Sequence, residues 1–96
     1  MKNVLITGFE PFAGDNRNPT LEVIRALHGE IIDHARVITK ELPCVFDESL
    51  RVLLQEVERV NPNIVINLGQ EKGRSEIAVE RVALNLIDAR IPDNKG

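Results

Sequence analysis

Val4-Leu5-Ile6-Thr7-Gly8-Phe9-Glu10-Pro11-Phe12-Ala13-Gly14 is the stretch that decides the fold class. Its first four residues form a short run rich in β-branched side chains. Such a run suits a strand buried on both faces, the habit of a central parallel strand. Gly8 is expected to end it. The loop beyond then lies at the carboxyl end of a parallel strand, where open α/β sheets place their ligand sites. Its glycines do not fit Gly-x-Gly-x-x-Gly, and no Gly-Lys-Ser/Thr follows, which argues against dinucleotide and P-loop sites. The loop carries Phe9 and Phe12, two of the three Phe residues of a chain without Trp or Tyr. Either both rings plug the core beside the strand, or they offer apolar faces to a ligand. The residues alone leave both readings open.

Outward from this stretch, Asn18-Pro19 marks a helix start, with Asn18 as N-cap and Pro19 in the first turn. Leu21, Ile24 and Leu27, helped by Val23, line one face. Gly29 stops the helix. His28 falls in its last turn, where a cationic ring suits the helix dipole, and His34 falls in a loop; neither is given a catalytic role. A second strand runs over residues 37–42 and is closed by Pro43. Asp47 is expected to cap a second helix. Leu50, Leu53, Leu54, Val57 and Val60 recur there at helical spacing, with Glu56, Glu58 and Arg59 outward. Asn61-Pro62 ends it. A third strand follows at residues 64–68, and Gly69 turns the chain so that Gln70 reaches the same edge as Phe9 and Phe12. Residues 71–74 form a polar loop. Residues 77–87 fit either a helix or an extended strand, and strand is the reading adopted. Residues 90–94 form a loop.

The chain has 96 residues, 43% hydrophobic and 28% charged, with a net charge of -3. That is one small globular domain at most. Nothing in the charge favours nucleic acid or an anionic membrane. No apolar stretch approaches the ~18 residues of a transmembrane helix, and no signal peptide is evident. A single Cys excludes an internal disulfide and suits a reducing, cytoplasmic compartment. That residue, Cys44, sits among apolar neighbours without a nearby cation, a setting that raises a thiol pKa. It is a poor nucleophile.

The segment GRSEIAVERVALNLIDARIPDN at 73–94 resembles the central signature of the pyroglutamyl peptidase I family, intracellular cysteine peptidases also called pyrrolidone-carboxylate peptidases. The opening MKNVLITGFEPFAGDNRNPT is similar to the family's N-terminal signature, and LPCVF at 42–46 matches a third family segment. The resemblance spans essentially the whole chain. It implies removal of N-terminal pyroglutamate from peptides by a Cys-His-Glu mechanism, without a metal or cofactor. Glu80 matches the catalytic carboxylate, and the site explains a carboxylate inside an apolar run. Phe9, Phe12, Gln70 and Ile91 match positions around the pyroglutamyl lactam. Arg90 could place positive charge near the developing oxyanion. Asp93 is a second carboxylate in the motif, for which an Asx-type turn with Asn94 is at least as good a reading. Family members are longer, with the nucleophilic Cys and general-base His in a second half. Full-length members are expected to be homo-oligomers.

These readings predict an α/β fold of three layers, α/β/α, with a mostly parallel sheet. The chain would form an incomplete β-α-β-α-β-β portion with strand order 2-1-3 and one helix on each face. One helix per face is thin cover for apolar strands. Residues 1–96 are therefore expected to be the N-terminal part of a single, truncated domain, inactive alone. The alternative is a non-catalytic binding or self-associating fragment. A phosphorylase-like enzyme using Arg74 and Arg90 is a third reading, opposed by the Phe-rich loop.

Overall fold

A central strand, β1 (Lys2–Phe9), is flanked in parallel by β3 (Ala35–Leu42) and β4 (Ile64–Asn67). The helices α1 (Pro19–Leu27) and α2 (Glu48–Val60) make the crossovers. A short strand β2 (Ile31–Ile32) pairs antiparallel with β3, so the sheet order is β2-β3-β1-β4. This computed structural model describes residues 1–71, 76–80 and 91–96. The mostly parallel sheet and the central first strand are as expected, and the architecture is α/β.

Strand β1 runs past Gly8. Pairing with β3 continues through Gly8↔Glu41 and Phe9↔Leu42. Gly8 therefore does not stop the strand. Its role is to let α1 approach, since a Cβ there would stand 2.9 Å from Thr20 O. On this face Ile6 and Val37 meet Leu21 and Ile24, with Val4, Leu27 and Leu68 packed alongside. Val23, expected to help, is 43% exposed. Asn18 caps α1 as predicted, its Oδ1 accepting the Thr20 N–H at 3.0 Å.

Residues of opposite parity, Leu5 and Thr7, are fully buried on the other face. Helix α2 lies here, but its facing stripe differs from the expected one. Val52, Leu53, Val57 and Val60 are half-buried, Glu56 is buried, and Leu50 and Leu54 are more than half exposed. Glu56 is thus not outward. Lys40, register partner of Thr7, brings its Nζ to 3.9 Å from Glu56 Oε2, and Arg59 Nε donates to Glu56 Oε1 at 2.8 Å. These cations compensate a carboxylate that water no longer solvates. Asp47 stands at the N-cap of α2 but makes no capping bond with its side chain. Its φ of 65° and ψ of -41° depart from the extended backbone that aims a capping Asp.

Hairpin β2-β3 was not foreseen. Asp33 and His34 both have positive φ, 48° and 65°, as in a two-residue type I′ turn. Residues 77–80 carry no regular structure, so the strand expected over 77–87 is not present in its described part; 81–87 and Arg90 lie outside the described residues. Among the described residues, no helix is long and apolar enough to cross a membrane.

Candidate functional site

The carboxyl edge of the sheet gathers the loop after β1, the segment after β3 and the turn after β4. Thr7 pairs with Asn67 and Leu68 N donates to Thr7 O at 2.9 Å, so the chain leaves β4 toward the same sheet edge as the end of β1, with Gln70 three residues beyond Asn67. Asn67 is tied down by a 2.6 Å hydrogen bond from Thr7 Oγ1 to its Oδ1.

The N-terminus of α1 organises the loop after β1. Phe9 N donates to Thr20 Oγ1 at 2.9 Å. That hydroxyl donates to Asn18 Oδ1 at 2.7 Å, and Asn18 Nδ2 donates to Glu10 O at 3.3 Å. Asn18 is only 2% exposed, so its amide holds the loop as much as it caps the helix. Phe9 and Phe12 are half-buried, neither sealed in the core nor free in solvent.

Glu10 joins this loop to two others. Its Oε2 accepts the Cys44 N–H at 2.9 Å and Asn94 Nδ2 at 2.7 Å. Asn94 Nδ2 also donates to Pro11 O at 3.0 Å, and Asn94 N donates to Cys44 O at 3.0 Å. Asp93 adds a parallel tie, its Oδ2 accepting the Phe46 N–H at 2.8 Å. Its Oδ1 accepts Lys95 N–H at 2.9 Å, an Asx-type turn closed on Lys95 rather than Asn94. These amides, Phe46 first, hold the Asp93 carboxyl below its ordinary range. Segment 91–96, with the half-exposed Ile91, is thereby fastened to the edge that carries Phe9.

Gln70 Oε1 is buried and, among the described residues, has no hydrogen-bond partner. A buried acceptor left unpaired is uncommon and costly. Glu80 is exposed. Cys44 is half-exposed, and burial, then the charges of Glu10 and Asp93, push its thiol pKa up. His28 Nδ1 accepts the Thr39 N–H at 3.2 Å, and His34 occupies the hairpin turn. An open depression lined by Val45, Phe46, Asp47, Glu48, Arg51 and Lys95 holds none of the expected site residues. Among the described residues, no cluster of three metal-ligating side chains occurs.

The family model for pyroglutamyl peptidase matches residues 2–96. The chain belongs to the pyroglutamyl peptidase family. It is 53% identical over 96 residues to the pyrrolidone-carboxylate peptidase of Enterobacter sp. (strain 638), covering 100% of this chain and 45% of that protein. The Klebsiella pneumoniae pyrrolidone-carboxylate peptidase is 54% identical with the same coverage. The crystal structure of Bacillus amyloliquefaciens pyroglutamyl peptidase I superposes with a TM-score of 0.96 at 45% identity, over 100% of this chain and 47% of that one. Pyrrolidone carboxyl peptidase from Pyrococcus furiosus gives 0.94 at 48% identity, over 98% and 45%. The chain thus spans somewhat under half the length of these pyroglutamyl peptidases. The contribution of Glu10 and Asn94 was missed in the sequence. Its only signal was a carboxylate between two aromatics in a Pro-shaped loop.

Proposed function

We propose that residues 1–96 are the lactam-binding, N-terminal part of a single-domain cysteine peptidase that removes pyroglutamate from peptide N-termini. The observation that carries this reading is the buried acceptor of Gln70, unpaired among the described residues, in a chain of this family. A pyroglutamyl ring is a small uncharged lactam with one N–H. Apolar faces from Phe9, Phe12 and Ile91 would hold its carbons, and Gln70 Oε1 would accept its N–H. In this mechanism a Cys thiolate attacks the carbonyl that follows the ring. A His takes the Cys proton and returns it to the leaving amine, and Glu80 orients that His. Arg90 would support the oxyanion.

Neither Cys44, with its raised thiol pKa, nor His28 or His34 suits the first two roles. On this reading the Cys and His would come from the part of the family's length that these residues do not span. The complete enzyme would be a cytoplasmic homo-oligomer needing neither metal nor cofactor. Binding of L-pyroglutamamide, followed by NMR on the 96-residue chain, tests the lactam site. N-methylation of the lactam removes the donor for Gln70 and should weaken binding about tenfold, equivalent to ~1.4 kcal/mol. Equal binding of the two amides would defeat this placement.

A further inference from the structure

We infer that Glu10 and Asn94 form a clasp that fixes the Phe-bearing loop against segment 91–96, with Glu10 acting as a positioning residue through hydrogen bonds rather than through charge. The bonds close a ring. Glu10 Oε2 takes the Cys44 N–H at 2.9 Å, Cys44 O takes the Asn94 N–H at 3.0 Å, and Asn94 Nδ2 returns to Glu10 Oε2 at 2.7 Å. A fourth bond, Asn94 Nδ2 to Pro11 O at 3.0 Å, ties the ring to the residue before Phe12. The backbone of Glu10 is itself fixed to the scaffold. Its N–H donates to Leu42 O at 3.0 Å, and its carbonyl accepts Asn18 Nδ2 at 3.3 Å. One side chain therefore joins segments 34 and 84 residues away in sequence. Loops gain precision only when such supporting bonds hold them to rigid elements.

Among the described residues, the two groups that meet the Glu10 carboxylate, the Cys44 N–H and Asn94 Nδ2, are neutral N–H donors, so hydrogen bonding accounts for this arrangement. A glutamine in its place can still accept both through its own carbonyl oxygen. Alanine cannot. The placement of the Phe-bearing loop relative to segment 91–96 follows from the clasp, and under the lactam reading so would its grip on a flat ring.

The proposal rests on the lactam reading for its ligand but not for its geometry, and the test separates the two. Amide exchange and L-pyroglutamamide binding are measured on the 96-residue chain and on its Glu10→Ala, Glu10→Gln and Asn94→Ala variants. Exchange at α1 amides reports that each variant is folded. The expected result is Cys44 amide exchange about tenfold faster in Glu10→Ala and Asn94→Ala, with the ligand Kd rising by a similar factor, the equivalent of ~1.4 kcal/mol. Glu10→Gln should stay near wild type in both. Should Glu10→Ala not fold, the exposed Asn94→Ala decides. Unchanged Cys44 exchange overturns the clasp. Faster exchange with unchanged ligand affinity overturns the positioning role. If Glu10→Gln behaves like alanine, charge rather than hydrogen bonding is responsible and the proposal fails. If the wild-type chain binds no pyroglutamamide while exchange responds as expected, the clasp stands and the lactam reading falls.

Discussion

Gly8 and Thr20 are in contact with no room for a side chain between them: a Cβ on Gly8 would meet Thr20 O at 2.9 Å and Thr20 Oγ1 at 3.0 Å. The carbonyl belongs to the first turn of α1 and cannot rotate away. Because Thr20 Oγ1 also holds the Phe9 N–H, displacing the helix would disturb the loop after β1. Gly8→Ala should cost about 1–3 kcal/mol, the usual range for an overpacked core. Chemical denaturation measures it. A midpoint equal to wild type would mean that the helix gives way freely.

Between α2 and the sheet, Glu56 carries an 8% exposed side chain while its partners Lys40 and Arg59 are 43% and 67% exposed. Exposed partners are screened, so either cation alone should contribute little. Losing both leaves a buried charge uncompensated. Lys40→Ala and Arg59→Ala should each be mild, and the double variant should cost measurably more than their sum. Glu56→Met should be neutral or stabilising, as for other buried ions replaced by apolar groups of similar volume. Additivity in the cycle would show that Glu56 is solvated after all.

The elements that could be read directly were those with local causes. Asn18 and Pro19 announce α1 by capping chemistry, and the β-branched run of β1 announces a buried central strand. Glu56 was misplaced because periodicity weights Leu50 and Leu54 as core. Neither leucine is buried here, and the cation that makes a buried carboxylate tolerable, Lys40, comes from another element. Hairpin β2-β3 escaped because Asp33-His34 lacks the Asn-Gly signature of its turn. At the candidate site, Phe9 ends β1, Phe12 lies in the loop beyond it and Gln70 follows β4, positions that chain order and parallel topology give. The Glu10–Asn94 contact could not be read, since it joins residues far apart in sequence through side-chain geometry alone.

Asp93 gives the chain an acid-sensitive contact. The folded state holds its carboxyl below the ordinary range through the Phe46 and Lys95 amides. The sign follows: the tie is complete above the ordinary carboxylate range and is lost as pH falls through the lowered folded value. The Phe46 amide resonance should therefore titrate at a pH below that of an ordinary aspartate. Asp93→Asn should abolish the transition. A Phe46 amide that titrates at the ordinary aspartate value would refute the tie.

Cys44 should be a sluggish thiol. Burial first, then Glu10 and Asp93, raise its pKa, which depletes the reactive thiolate near neutral pH. Alkylation by iodoacetamide should be slower than for a free cysteine and should quicken in Glu10→Gln, which removes a negative charge while keeping the hydrogen-bond acceptor. Alkylation of the wild-type chain as fast as a low-pKa thiol would return Cys44 to consideration as a nucleophile.

The last prediction concerns the 96 residues studied by themselves. Among the described residues, β4 pairs only with β1, and its Ile64, Val65 and Ile66 are 55%, 39% and 43% exposed. Leu50 and Leu54 of α2 are 55% and 56% exposed. An unpaired strand edge with apolar side chains on both faces is a template for association. Apolar patches beyond a few hundred Å² are rare on monomers. The chain should therefore self-associate in sedimentation experiments, with an apparent mass that grows with concentration. It should also release no amine from a chromogenic pyroglutamyl amide, since removal of even one triad member in comparable enzymes leaves only ~10³–10⁴ over water. Adding the second half of a related pyroglutamyl peptidase should suppress association and give turnover together, because under the proposed mechanism that half would cover the same surface and supply the Cys and His. A monomeric chain that cleaves the amide unaided would overturn both expectations and place the nucleophile within these residues.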